Sequence, residues 1–73
     1  MEARRAAALL EAILSTLPIE QRAVFVMFEI DEMTCQEIAD VTGSPLGTVY
    51  SRLRAARIAV NEASKRARAR GRA

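Results

Sequence analysis

Apolar side chains recur along this chain at helical spacing, and no segment shows the strict apolar–polar alternation of a half-buried strand. In residues 2–16, Ala6, Leu9, Leu10, Ile13 and Leu14, followed by Leu17, keep the i, i+3, i+4, i+7 rhythm of one buried helix face. Alanine and leucine are strong helix formers, which supports that reading. Pro18 ends this helix and suits the first turn of a second over residues 18–29. Within it, Ala23-Val24-Phe25-Val26-Met27-Phe28 is apolar on every side, so periodicity alone does not separate helix from strand. Pro18, Glu20, Gln21 and Arg22 make a good helix start and no partner strand exists elsewhere, so helix is expected. A helix this apolar is central, or lends a face to another protein.

The next two helices are marked by their ends. After Asp31-Glu32-Met33, the string Thr34-Cys35-Gln36-Glu37 matches the S/T-x-x-E capping box, with Thr34 as cap and Glu37 reaching back to it. This third helix is short and ends at Thr42-Gly43, where glycine fits the left-handed position past a helix end. Ser44-Pro45 restarts a helix at once, Ser44 as N-cap and Pro45 in the first turn. In the fourth helix, Leu46, Val49, Leu53, Ala56, Val60 and Ala63 recur at steps of 3-4-3-4-3, a stripe buried for about five turns. Two of those six are alanine and the stripe covers fewer than three heptads, which favours packing within the chain over a zipper. The expected fold is all-α: a small four-helix domain over 1–64 with a C-terminal helix-turn-helix (34–57) and a long recognition helix. A basic tail over 65–73 is expected to fray.

Composition narrows the function classes. The 73 residues form one small domain, and a chain of this size buries only about 60% of its unfolded surface. There is no His, which excludes His-based zinc sites and His-dependent triads. The single cysteine, Cys35, makes no internal disulfide; it sits in the first turn of the third helix and is read as a small filler there. So short and helical a chain does not enclose a usual substrate pocket, so neither an enzyme nor a cofactor is expected. No apolar run approaches the roughly 20 residues that span a bilayer, so no membrane insertion is expected. The N-terminus shows no apolar stretch with a small-residue cleavage site, so a cytoplasmic, nucleoid-associated location is expected.

The formal charge of +2 conceals an asymmetry. Residues 1–33 carry three basic side chains (Arg4, Arg5, Arg22) against six acidic ones, a charge of −3; residues 34–73 carry eight against three, +5. A basic half joined to an acidic, apolar half suggests a polyanion for the first and a different partner for the second.

A capped short helix, a turn with glycine and a second helix form the DNA-binding helix-turn-helix signature. Ala39 is small where the second helix crosses, Gly43 makes the turn, and Val49 plugs the gap between the helices. At 100° per residue, the direction opposite the buried stripe is taken by Gly47, Thr48, Ser51, Ala55 and Ile58. Arg52 lies on one flank, and Tyr50, Arg54 and Arg57 on the other. A small, polar centre with cations at its edges suits a major groove about 12 Å wide, where Arg reaches phosphates or guanine and Thr48 and Ser51 donate to phosphate or base edges.

The run from Glu37-Ile38-Ala39-Asp40 to Gly43-Ser44-Pro45-Leu46-Gly47-Thr48-Val49-Tyr50-Ser51-Arg52-Leu53-Arg54-Ala55-Ala56-Arg57 resembles region 4 of bacterial sigma factors, most of all the extracytoplasmic-function group. Upstream, Leu17-Pro18-Ile19-Glu20-Gln21-Arg22-Ala23-Val24-Phe25 is similar to that family's Leu-Pro-x-x-x-Arg-x-Val-Phe segment. The resemblance implies a domain that reads the promoter −35 element on core RNA polymerase. It implies that the helix opening at Pro45-Leu46 enters the major groove. Thr34 and Thr48 would then touch phosphates, with Tyr50, Ser51, Arg52 and Arg54 over bases or flanking backbone. It also implies that the apolar second helix docks on the polymerase β-subunit flap, or on an anti-sigma factor in the silenced state.

Two positions depart from the pattern: Tyr50 stands where Lys or Arg is common, and Ala55 where Arg is frequent. Fewer cations mean weaker binding alone and a shallower salt dependence. With no −10-reading segment, the chain is expected to be one domain of a longer factor, monomeric in isolation. The alternative is a LuxR-like helix-turn-helix regulator that binds a palindrome as a dimer. A third class is an interaction module whose basic helix grips an acidic partner.

Overall fold

The computed structural model of the chain describes residues 2–71. Arg72 and Ala73, the end of the expected basic tail, lie outside the described residues. Helix α1 spans Glu2–Leu14 and α2 spans Ile19–Phe25, continuing directly into a π-helical segment, Val26–Ile30. Helix α3 spans Cys35–Thr42 and α4 spans Leu46–Gly71. Among the described residues there is no strand, so the all-α reading holds.

Helix α1 stops as the side chains of Ser15 and Thr16 fold back on the carbonyls of Ala12 and Ile13, at 2.7 and 2.6 Å. Pro18 is extended (φ −53°, ψ 146°), and its carbonyl accepts the Arg22 N–H at 3.0 Å, so α2 opens one residue later than its sequence suggests. The second helix does not run regularly to Glu29. After Phe25 it widens, the Asp31 N–H donating to the Val26 carbonyl at 3.0 Å across five residues. The cause is the all-round apolar run: Phe25 and Val26 pack into one cluster, Met27 and Phe28 into another. A wider turn, a known local variation of helices, divides four successive apolar residues between two sites.

Those two clusters are the core. The first joins Val24, Ile38, Ala39, Val49 and Leu53, and ties α2 and α3 to the first turns of α4. The second joins Leu14, Leu17, Phe25 and Ala56, with Leu10 and Val60 against it, and ties α1 to the middle of α4. All six positions of the α4 stripe are buried or half-buried. Of the expected α1 face, only its C-terminal part, Ile13 and Leu14, is buried, together with Leu17 beyond the helix end; Ala6 and Leu9 are exposed.

The basic tail, expected to fray from residue 65, is helical as far as Gly71. Alanine and arginine are both good helix formers, which favours continuation. Across a groove, Ala63, Arg66, Ala67 and Arg70 also face Leu9, Ala12 and Ile13 of α1 and Thr16 just past its end. The longest dimension, 43 Å, is close to the length of α4 itself, about 39 Å for its 26 residues at 1.5 Å each.

Candidate nucleic-acid interface

Helix α3 is set by the box read from the sequence. The Glu37 N–H donates to Thr34 Oγ1 at 3.1 Å, and the Thr34 N–H donates to Glu37 Oε1 at 2.8 Å. Because Thr34 Oγ1 acts as acceptor here, its own O–H stays available to a phosphate at an exposed position. At the far end, Gly43 takes φ +68°, and the N–H groups of Gly43 and Ser44 both close on the Ala39 carbonyl, the latter in a Schellman-type bond. Ile38 and Val49 are fully buried and Ala39 nearly so, which seats α4 directly across α3.

Helix α4 opens one residue later than expected. The Pro45 carbonyl accepts the N–H groups of Thr48 and Val49, at 3.0 and 3.1 Å, which puts Pro45 at the cap and Leu46 in the first helical position. Ser44, the expected cap, instead accepts a hydrogen bond at Oγ from Arg52 Nη1, at 3.1 Å. Leu46 packs its side chain against the first cluster, so toward a nucleic acid it offers backbone N–H, a group that lacks an intrahelical partner at a helix start.

The outward face matches the 100° spacing only in part. Gly47, Ser51 and Ile58 are exposed as expected, but Thr48 and Ala55, expected at its centre, are half-buried. Arg54, expected on a flank, is exposed, so the exposed line is turned toward the Arg54 flank. Tyr50 is 55% exposed. The two flanks carry features that the sequence reading did not foresee. Arg52 is half-buried and lines a groove with Ile19, Glu20, Ala23 and Val24 of α2 and with Thr42 and Ser44. Arg57 donates through Nε to Glu29 Oε2 at 3.0 Å and lies 5.0 Å from the centre of the Phe28 ring, within cation–π range. Of the three arginines on this part of α4, Arg54 alone has no protein partner for its charge or its N–H groups among the described residues.

A domain that presents one capped helix and a second with such a face is a helix-turn-helix in structure as well as in sequence. The family described as sigma-70, region 4, matches residues 7–60. The chain belongs to that family. The matched stretch runs from α1 through both core clusters and ends just past the fourth turn of α4, so every residue of the outward face falls inside it. As a sigma region 4 domain, the chain is a DNA-binding part of a transcription initiation factor, a class that is not enzymatic. A comparison with curated individual proteins gave no match. No described helix of this region 4 domain is long and apolar enough to cross a membrane.

Phe28, Glu29 and Ser44 were not among the expected site residues. Glu29 is 28 positions from Arg57, beyond any spacing rule for one helix, and the widened turn carries it there. For Ser44 a signal did exist, since a serine beside a turn with an arginine eight residues on can cap or can anchor; the sequence favoured the cap.

Proposed function

We propose that this region 4 domain recognises the promoter −35 element, laying the first half of α4 in the major groove as part of an extracytoplasmic-function type sigma factor on core RNA polymerase. The observation that carries the reading is the exposed line of Gly47 and Ser51, with Arg54 exposed at its edge, facing away from buried Val49 and Leu53 and seated behind the capped α3 and its glycine turn. Ser51 and Arg54 then face base edges, and Tyr50 packs or hydrogen-bonds beside them. Thr34, Thr48 and the backbone at Pro45-Leu46 hold phosphates, which fixes the register of the helix on the duplex.

The apolar groove of α2 around Ile19, Ala23 and Val24 is the surface for the polymerase flap, or for an anti-sigma factor that silences the domain. That work is cytoplasmic, on the nucleoid, and the isolated domain is monomeric.

The test is selection from a randomised DNA duplex library, followed by titration of the winning duplex at two salt concentrations. Affinity falls with salt, and Arg54→Ala makes the slope of log K against log salt shallower by about 0.9. A salt-independent response, or a stable dimer in sedimentation with tight binding to a palindrome, overturns the reading.

A further inference from the structure

We infer that Glu29 is a positioning residue that withholds Arg57 from the DNA backbone and so sets how strongly the recognition helix grips a duplex. This rests on the DNA-reading assignment above. Arg57 lies on the same flank of α4 as Tyr50, yet its guanidinium is turned onto the π-helical segment. There it pairs with Glu29 Oε2 at 3.0 Å and stacks over Phe28 at 5.0 Å. The pair is not buried: the side chains of Arg57 and Glu29 are 50% and 38% exposed. An exposed ion pair of this kind biases Arg57 toward the carboxylate without locking it there, so a phosphate beside it must compete with Glu29 for the same cation and gains less from it than from an unpaired arginine. Glu29 therefore acts as an internal stand-in for phosphate, with the Phe28 ring 5.0 Å from the guanidinium carbon beside it. Arg52 has one N–H engaged by Ser44, which leaves Arg54 as the cation on this face that is wholly available.

Because counterion release depends on charge rather than sequence, a mixed-sequence DNA duplex titrated at 50–200 mM salt is a sufficient probe. Four chains are compared: the unaltered protein, Glu29→Gln, Arg57→Gln and the double variant, with circular dichroism to confirm that each is folded. Glu29→Gln keeps the side chain's shape and frees Arg57. Its slope of log K against log salt steepens by up to about 0.9, so its advantage grows by about threefold to fourfold as salt falls across that range. Arg57→Gln alone changes the slope far less than Arg54→Gln does. In the double variant, Glu29→Gln brings no gain.

An unchanged slope in Glu29→Gln overturns the inference. So does an equal gain in the Arg57→Gln background, which would mean that Glu29 merely repels DNA. If the unaltered protein binds with a salt slope that Arg54→Gln lowers while Glu29 has no effect, this inference alone fails. If no salt-dependent binding occurs at all, the DNA-reading assignment fails and this inference with it.

Discussion

Helix α3 hangs between two short connections that both contain a left-handed residue, and they reach it by different routes. After the helix, Gly43 takes φ +68°. Nothing lies within 4 Å of where a side chain would begin, so the turn asks only for a residue that tolerates this backbone, and glycine does. Before the helix, Glu32 takes φ +59°, a conformation that costs an ordinary L-residue roughly 1–2 kcal/mol. Nothing in the identity of Glu32 favours it. The constraint comes from its neighbours, since the N–H groups of Asp31 and Met33 are tied to the carbonyls of Val26 and Met27, and Met33 packs onto the first core cluster. One connection is specified by its own residue; the other is imposed by what it joins. A residue's identity therefore reports its conformation only where the demand on it is local.

The strongest way to break this comparison is to unseat α3 itself. Ile38→Ala removes a fully buried side chain that anchors the helix between both connections, and it should lower stability by about 2–5 kcal/mol in urea unfolding. Gly43→Ala should lower it by roughly 1–2 kcal/mol, all of it backbone conformation because the space is open. Thr34→Ala, which removes the cap where the first connection meets the helix, should cost about 1 kcal/mol. Glu32→Gly should go the other way and raise the stability in urea unfolding by less than about 1 kcal/mol. Relief of the left-handed backbone is there partly offset by the greater freedom of glycine in the unfolded chain. A loss of stability in Glu32→Gly would show that the first connection carries no strain and that the contrast with Gly43 is wrong.

The same distinction separates what could be read of the site from what could not. Thr34, Gly43, Val49 and the exposure of Gly47 and Ser51 were legible because each depends on partners within a turn or two of the same helix, whereas the half-burial of Thr48 and Ala55 was not. Arg52 and Arg57 were legible as flanking cations, but not as tethered ones. Both tethers come from outside α4: Ser44 in the turn before it, and Glu29 on a helix segment packed beside it. The chemistry of this face is consequently less basic than three arginines suggest.

By itself, the sequence determined the order and approximate place of the four helices, how α3 is capped and stopped, and which stripe of α4 turns inward. Those features arise from interactions between residues three to five positions apart, whose geometry a helix repeats wherever it is placed. Only the tertiary structure decided the widening of the second helix after Phe25, the left-handed backbone of Glu32 and the pairing of Arg57 with Glu29. Each of these depends on two apolar clusters being filled at once, and on what is brought alongside when they are.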